Sequence, residues 1–212
     1  MRLAALALLA LVPQEKTLFE EKFAGKLSDG WSWVREDAAG WKVEGGGLRI
    51  KAQPGKIWYK TKTAKNLLVR KAPATGTAEA PVFAEVTVES APETNAEQCG
   101  LYLYFNDSNF VKILREHVKG KTNIVLVREQ KNIPEPLPPK EESAPSVRLR
   151  LAWSGTKVVG AYKAGGDWVQ VGEVEVPDAA GAASFGLASH GAPAEADRWA
   201  KFTDFRITQG GK

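Results

Sequence analysis

Two tyrosines, a lysine and a glutamate within residues 99–117 form the set of side chains best suited to contact a ligand. The stretch is CGLYLYFNDSNFVKILREH, and the four residues are Tyr102, Tyr104, Lys112 and Glu116. Aromatic rings stack on the apolar C–H face of a sugar, and neighbouring polar groups satisfy its hydroxyls. If these side chains share one surface, the combination predicts carbohydrate recognition.

Two antiparallel strands and a turn are predicted to position these side chains. Leu101, Leu103 and Phe105 alternate with the tyrosines, so the two sets point to opposite faces of a sheet. Residues 106–109, Asn-Asp-Ser-Asn, favour a turn because their short polar side chains bond nearby backbone. With the aliphatic residues in the core, the tyrosines, Lys112 and Glu116 are expected on the opposite face.

The rest of the chain has the same short β segments and no helical period. Alternation is clear at residues 82–89 and 147–153, and a glycine-containing turn at 164–167 joins two further segments. Residues 131–146 carry five prolines and are expected in a surface loop or hinge, because proline has no amide donor for a central strand. The pattern predicts an all-β, two-sheet antiparallel sandwich with one core.

Composition excludes several function classes. The 212 residues carry a net charge of +4, too small to indicate a nucleic-acid partner without a recognised motif. The single cysteine, Cys99, cannot form an internal disulfide, and two histidines cannot build a histidine-rich metal site.

The first residues have the composition of a secretory signal. One early arginine precedes an apolar run, MRLAALALLALV, that is too short to cross a bilayer as a helix. We expect residues 1–14 to be a signal peptide and residues 15–212 to be the β-sandwich domain. The expected localisation is secreted, periplasmic or at the cell envelope; a retained, weakly anchoring segment is the alternative. No other segment is expected to span a membrane.

Several motifs together resemble a known family. LSDGWSWVRED, GGGLRI, CGLYLYFNDSNFVKILRE, YKAGGDW, FGLASHG and FTDFRI are similar, in this order, to the concanavalin A-like (laminin-G/jelly-roll) sandwich at the C-terminus of bacterial beta-xylosidases, and to its stand-alone, uncharacterised relatives. The resemblance covers residues 19–207. It implies a jelly roll of the lectin/glucanase type with one concave sheet and carbohydrate as the ligand class. The chain departs from the xylosidase pattern in its proline-rich segment and in having no recognised catalytic domain.

Further site residues are expected among the tryptophans, because an indole ring can also stack on a sugar. The candidates are Trp31, Trp33, Trp41 and Trp58, and at least half of all the aromatic candidates are expected to be buried as core filler. Of these, Trp33, with the nearby acid Glu36, is placed at the binding surface. No cofactor is expected other than a structural calcium ion, which many jelly rolls hold. Glu21 near the first strand and Asp204 near the last are the expected ligands, since carboxylate oxygens suit calcium.

A glycosidase would need two carboxyl groups at a defined separation. Glu85 and Glu89 lie about 13 Å apart along one strand, and we expect them on the exposed face of an edge or outer strand. Glu116 with Glu36 or Asp37 is the remaining acid pair. The sequence therefore favours a non-catalytic carbohydrate-binding domain; a glycan-processing enzyme and a structural envelope interaction domain are the alternatives.

Residues 45–77 contain eight basic residues and no acid. Such a run is most often a solvated face, but it could also attract a uronic or sulfated polysaccharide by charge. The sequence does not name the sugar or the oligomeric state.

Overall fold

The computed structural model describes residues 15–177 and 182–210. The predicted signal peptide, residues 1–14, lies outside the described residues. In these two ranges the only helical element is a single 3₁₀ turn, Ala38–Gly40, and no helix is long and apolar enough to cross a membrane.

The described residues form eighteen β-strands. In chain order they are β1 Lys16–Glu21, β2 Trp31–Val34, β3 Trp41–Glu44, β4 Gly47–Lys51, β5 Ile57–Trp58, β6 Thr61–Lys62, β7 Leu67–Lys71, β8 Val82–Glu89, β9 Gln98–Asn106, β10 Asn109–Val118, β11 Lys121–Gln130, β12 Ile133–Pro136, β13 Lys140–Glu141, β14 Ser146–Ser154, β15 Lys157–Lys163, β16 Val169–Glu175, β17 Ser184–His190 and β18 Trp199–Gln209.

Sixteen of these strands form two antiparallel sheets of eight. Sheet 1 has the order β16-β15-β14-β8-β18-β4-β3, with β1 paired to β18. Sheet 2 has the order β12-β11-β10-β9-β17-β7-β2, with β13 paired to β11. The predicted all-β, two-sheet antiparallel jelly-roll sandwich is confirmed.

The main core lies between the two sheets. The core-facing side chains of β8 are Val82, Ala84, Val86 and Val88, and β14 alternates buried and half-buried residues over its whole length. From sheet 2, Leu101 and Leu103 of β9 enter the same core. Period-two alternation therefore marks the core-facing positions, as expected for strands with one side inside a sandwich.

A second, smaller apolar cluster lies on the outer face of sheet 2, the face that points away from sheet 1. The β5–β6 hairpin packs there, and its Ile57 contributes to a cluster with Tyr102, Phe110 and Leu114. This cover explains why β9 and β10 are buried on both faces over most of their length. The sandwich thus has a third, partial layer over one sheet.

Two expectations about strand position have different outcomes. The proline-rich residues 131–146 contribute two short, exposed strands at the edge of sheet 2, β12 and β13, and reach the central strand β14 only at Ser146, in keeping with the exclusion of proline from a central strand. The expectation that β8 is an edge or outer strand with an exposed Glu85 is wrong. β8 lies between β14 and β18, and Glu85 is completely buried by the arginines of those neighbours.

Gly100 provides a test of the close packing at the centre of sheet 2. A Cβ atom at this position would lie 2.2 Å from the carbonyl oxygen of Ile113, a backbone atom that cannot move without disturbing β10. We expect Gly100→Ala to lower the free energy of unfolding by about 1–3 kcal/mol, measured by urea denaturation. The control is Gly166→Ala, whose added Cβ meets nothing within 4 Å. Equal stability of the two variants would contradict this account.

Candidate functional site

The four residues singled out in the sequence share the outer face of sheet 2. In the pairing of β9 with β10, Tyr102 lies opposite Lys112, and Glu116 lies opposite Gln98. Tyr104 follows two residues after Tyr102 and so points to the same side. The structure therefore places these four side chains on one face of the sheet, as the alternation in the sequence predicted.

The accessibility of these residues differs from the expectation of an open surface. Tyr102 is completely buried and Lys112 is almost so, because the β5–β6 hairpin lies over them. The tyrosine ring packs against Phe110 at 5.9 Å between ring centroids. In this conformation Tyr102 supports the hairpin and does not offer its face to a ligand.

Lys112 joins the hairpin to the polar residues of sheet 2. Its Nζ donates to the carbonyl oxygen of Ile57 at 3.1 Å and to Gln98 Oε1 at 2.8 Å. Gln98 Nε2 in turn donates to Glu116 Oε1 at 3.2 Å. Burial lowers the pKa of Lys112, although the charges of Glu116 and Glu129 oppose this change. Burial likewise raises the pKa of Glu116 against the attraction of the lysine.

Glu129 fixes the tip of the hairpin. This completely buried carboxylate accepts a hydrogen bond from the backbone N–H of Tyr59 at 3.1 Å and forms an ion pair with Lys62. Since an unpaired buried charge is costly, the hairpin is held in place by the need to satisfy Glu129.

The hairpin covers Tyr102 but exposes two aromatic side chains of its own. Trp58 is 36% exposed and Tyr59 49% exposed, both among the most exposed large hydrophobic residues described. The Trp58 ring centroid lies 5.7 Å from Lys112 Nζ. An indole beside the Lys112–Gln98–Glu116 network provides an apolar platform next to hydrogen-bonding groups. We call Trp58, Lys112, Gln98 and Glu116 the hairpin site.

Tyr104 belongs to a separate polar group at the end of the sheet. Its hydroxyl donates to Asp107 Oδ1 at 3.0 Å, and Asp107 Oδ2 pairs with Arg35 at 2.5 Å. Arg35 also donates from Nε to the carbonyl oxygen of Ala64, which follows the hairpin. Burial, together with the Asp107 charge, raises the pKa of Tyr104. These contacts tie Tyr104 to the base of the hairpin.

The structure does not bring Trp33 and Glu36 into the hairpin site. Trp33 packs against the main core, with its ring 4.8 Å from that of Trp41. Glu36 is exposed and accepts a hydrogen bond from Trp41 Nε1 at 3.1 Å. Asp37 accepts from Gln53 Nε2 at 2.7 Å. Within the described residues, neither acid is hydrogen-bonded to Glu116.

Glu21 and Asp204 do not fit a calcium site. Strands β1 and β18 pair, but Glu21 accepts four hydrogen bonds, from the backbone of Phe23, from the backbone and hydroxyl of Ser28, and from Trp31 Nε1. These donors occupy the lone pairs that a cation would need. Asp204 is exposed, and among the described residues its carboxylate accepts a hydrogen bond only from the neighbouring Thr203. Across residues 15–177 and 182–210, no group of three or more His, Cys, Asp or Glu side chains is arranged to hold a metal ion.

Gln98 of the hairpin site and its buried neighbour His190 were not among the predicted binding residues. Gln98 could have been found, because it continues the parity of Tyr102 and Tyr104 along β9. His190 of β17 pairs with Gln98, is buried, and places Nε2 3.3 Å from the Tyr102 hydroxyl. Burial, and to a smaller extent the Lys112 charge, lowers the pKa of His190 to about 3.

A two-sheet sandwich of this topology is a concanavalin A-like domain. The family described as the beta xylosidase C-terminal concanavalin A-like domain matches residues 20–208, and the chain belongs to this family. A search of curated proteins finds no match.

Solved structures with the same fold include enzymes and a protein of unknown function. The GH43 protein BlXynB of Bacillus licheniformis is 20% identical with a TM-score of 0.78 over 89% of this chain. The xylan beta-1,4-xylosidase of Bacillus halodurans C-125 is 18% identical with a TM-score of 0.76 over 95% of this chain. The chain spans only 38% and 41% of these two proteins. A functionally unknown protein of Saccharomyces cerevisiae is 13% identical with a TM-score of 0.65, over 84% of this chain and 95% of its own.

The buried neutral imidazole of His190 makes a pH-dependent contribution to stability. Its pKa is about 3 in the folded state and 6.5 for an unperturbed histidine, so the unfolded state binds the proton first as the pH falls. The contribution is complete above pH 6.5 and decreases as the pH falls towards 3. We expect the wild type to lose about 2 kcal/mol of unfolding free energy relative to His190→Gln between pH 7 and pH 5, measured by urea denaturation. Glutamine retains a polar partner for Tyr102. The carboxylates titrate in both proteins, so their effect cancels in the comparison. Parallel dependence of the unfolding free energy on pH in the two proteins would contradict the burial of a neutral His190.

Proposed function

We propose that this domain binds carbohydrate without cleaving it, and that the ligand contacts the hairpin site. The observation that carries the proposal is the exposed Trp58 ring beside the Lys112–Gln98–Glu116 network. Stacking on the indole would supply apolar contact area, while the half-buried Glu116 carboxylate, held in place by Gln98, would accept hydrogen bonds from the hydroxyls. Membership in a family named for beta-xylosidases makes a xylose-containing glycan the first ligand to test.

Spacing of the acids argues against catalysis at this site. On the outer face of sheet 2, Glu129 pairs with Phe110 of β10, six residues from Glu116. The two backbone positions are therefore about 20 Å apart along the strand, whereas glycosidases place their two carboxyl groups about 5–9.5 Å apart. Glu129 is also occupied by Lys62 and by the backbone of Tyr59.

One other acid supports a second candidate function. Glu141 of the edge strand β13 pairs with Asn123, which pairs with Glu116, so the two acids lie two strands apart on the same face. This corresponds to about 10 Å between backbones, near the upper limit for an inverting glycosidase. The raised pKa of Glu116 would suit a general acid. Glu141, however, is exposed and paired with Lys121. A glycosidase that uses Glu116 and Glu141 is therefore the second candidate function.

The proposal includes an extracellular location. Polymeric plant or envelope glycans lie outside the cytoplasm, and the composition of residues 1–14 indicates export. Cell fractionation of the producing organism would test this point separately from ligand binding.

Replacement of Trp58 tests the platform directly. We expect Trp58→Ala to weaken the binding of xylo-oligosaccharides at least tenfold in isothermal titration calorimetry, because the stacking surface is lost. The control is Ile133→Ala, which removes an exposed apolar side chain of the edge strand β12, outside the hairpin site. Equal losses in both variants, or no binding of any xylo-oligosaccharide by the wild type, would contradict the proposal.

A hydrolysis assay with Glu116→Gln separates binding from catalysis. We expect no release of reducing sugar from xylo-oligosaccharides by the wild type, and a change in affinity of less than about tenfold for Glu116→Gln, since glutamine retains one oxygen acceptor. Turnover by the wild type that disappears in Glu116→Gln would replace the proposal with the glycosidase reading.

A further inference from the structure

The outer face of sheet 1 carries a shallow groove with an unbalanced positive charge. One depression of about 460 Å³ is lined by Thr87, Ser146, Arg148, Lys163, Gly165 and Arg206. A second, of about 390 Å³, continues from Ser146 past Lys201 and Arg49 to Trp199. The groove lies on the opposite side of the sandwich from the hairpin site.

Strand register places the charged side chains of the groove next to one another. Glu85 of β8 lies between Arg150 of β14 and Arg206 of β18 in one row across the sheet. Arg148 occupies the next row, between Thr87 and Lys163. Because paired residues point to the same face, these side chains converge on one patch.

One buried carboxylate holds three guanidinium groups. Glu85 accepts from Arg148 Nε at 2.8 Å, from Arg150 Nε at 2.6 Å and from Arg206 Nε at 2.9 Å. Burial alone would raise the pKa of Glu85, but the hydrogen bonds and charges of Arg148 and Arg150 outweigh it and lower the pKa. The glutamate therefore stays ionised and fixes the arginines in place.

The cluster has more positive than negative charge. Three arginines and Lys163 surround one buried acid, Glu85, and the Glu15 carboxylate lies 3.9 Å from Arg150. In the described part of the chain, Lys163 forms no salt bridge and Arg148 directs only Nε to Glu85. Arg206 is 42% exposed. Fixed donors with excess positive charge remain at the surface of the groove.

This donor set matches an oxyanion. A guanidinium presents paired N–H groups that fit two oxygens of a carboxylate, and Lys163 adds a point charge. The hydroxyls of Thr87 and Ser146 line the same depression and can donate or accept. The extension past Lys201 and Arg49 to a tryptophan suits an elongated ligand better than a single small ion.

We propose that this groove binds the carboxylate groups of an acidic polysaccharide, at a site separate from the hairpin site. Acids along the groove make nucleic acid a poorer match than a polymer with interspersed hydroxyls, since Glu89 lies beside Lys201 and Asp197 pairs with Lys51. The groove also offers one terminal indole, whereas single-stranded nucleic acids are bound on series of aromatic rings.

The experiment compares ligands that differ only in charge. Binding of polygalacturonate to the full chain is measured by affinity electrophoresis at low and high salt, beside its methyl-esterified form, which lacks the carboxylate charges. We expect the esterified polymer to bind at least tenfold more weakly, and binding of the acidic polymer to weaken with salt because the groove charges are solvent-accessible. Equal binding of both polymers, or no binding of polygalacturonate, would overturn the proposal.

Matched variants locate the site. Arg148→Gln/Lys163→Gln should weaken polygalacturonate binding at least tenfold, and Lys163→Gln alone should weaken it measurably without removing any contact of Glu85. The charge-matched control is Lys26→Gln/Lys119→Gln, two exposed lysines that do not line the groove. Equal effects of the groove and control pairs would show attraction by net charge only and would reject the site.

Two further measurements distinguish the groove from the hairpin site and an acidic polysaccharide from nucleic acid. Trp58→Ala should bind polygalacturonate as the wild type does, because Trp58 lies on the other sheet; a parallel loss would assign the polymer to the hairpin site and overturn this inference. A DNA duplex of equal charge that binds more tightly, and with the same dependence on Arg148 and Lys163, would replace the acidic polysaccharide with nucleic acid.

Discussion

Buried charge on the outer face of sheet 2 is the constraint on which the candidate site depends. Glu129 and Lys112 are both removed from solvent, and each would be strongly unfavourable without partners. The β5–β6 hairpin provides those partners through Lys62, the N–H of Tyr59 and the carbonyl oxygen of Ile57. The hairpin in turn covers the sheet with Ile57. Charge satisfaction and apolar burial therefore favour the same closed arrangement.

This arrangement changes which residues can meet a ligand. Tyr102 and Phe110 would form an aromatic surface on an uncovered sheet, but here they are the base on which the hairpin packs. The exposed aromatic position passes to Trp58, while Lys112 and Gln98 connect it to Glu116. The surface available for recognition is thus made by a two-residue strand over a rigid sheet. Polar groups that must stay buried fix its position.

The sequence was sufficient to predict the fold and which side chains share the outer face of sheet 2. It was not sufficient to predict that the β5–β6 hairpin covers them. Alternation in residues 82–89 and 147–153 identifies the core because each strand has one side inside the sandwich. The same rule places Tyr102 and Lys112 on one face, since a strand has only two faces. Alternation does not show that Ile57 lies on Lys112, 55 residues away, because that contact depends on the path of a loop. The placement of Trp33 at the binding surface could not be checked from the sequence for a related reason. Its strand pairs with β7, and its ring faces the main core.

Long-range pairing also explains why the arginine cluster was not visible in the sequence. Glu85 and Arg206 are 121 residues apart and become neighbours only because β18 inserts beside β8. Once they are paired, charge balance distinguishes the two outer faces. Glu129 is matched by one ammonium and one backbone N–H, so the protein itself satisfies that carboxylate. Glu85 receives three guanidinium groups, which is more positive charge than one carboxylate neutralises. The ion pair of Glu129 and Lys62 has no net charge and is covered by the hairpin. Glu85, by contrast, holds three arginines in place and leaves positive charge facing solvent, where an anion can reach it.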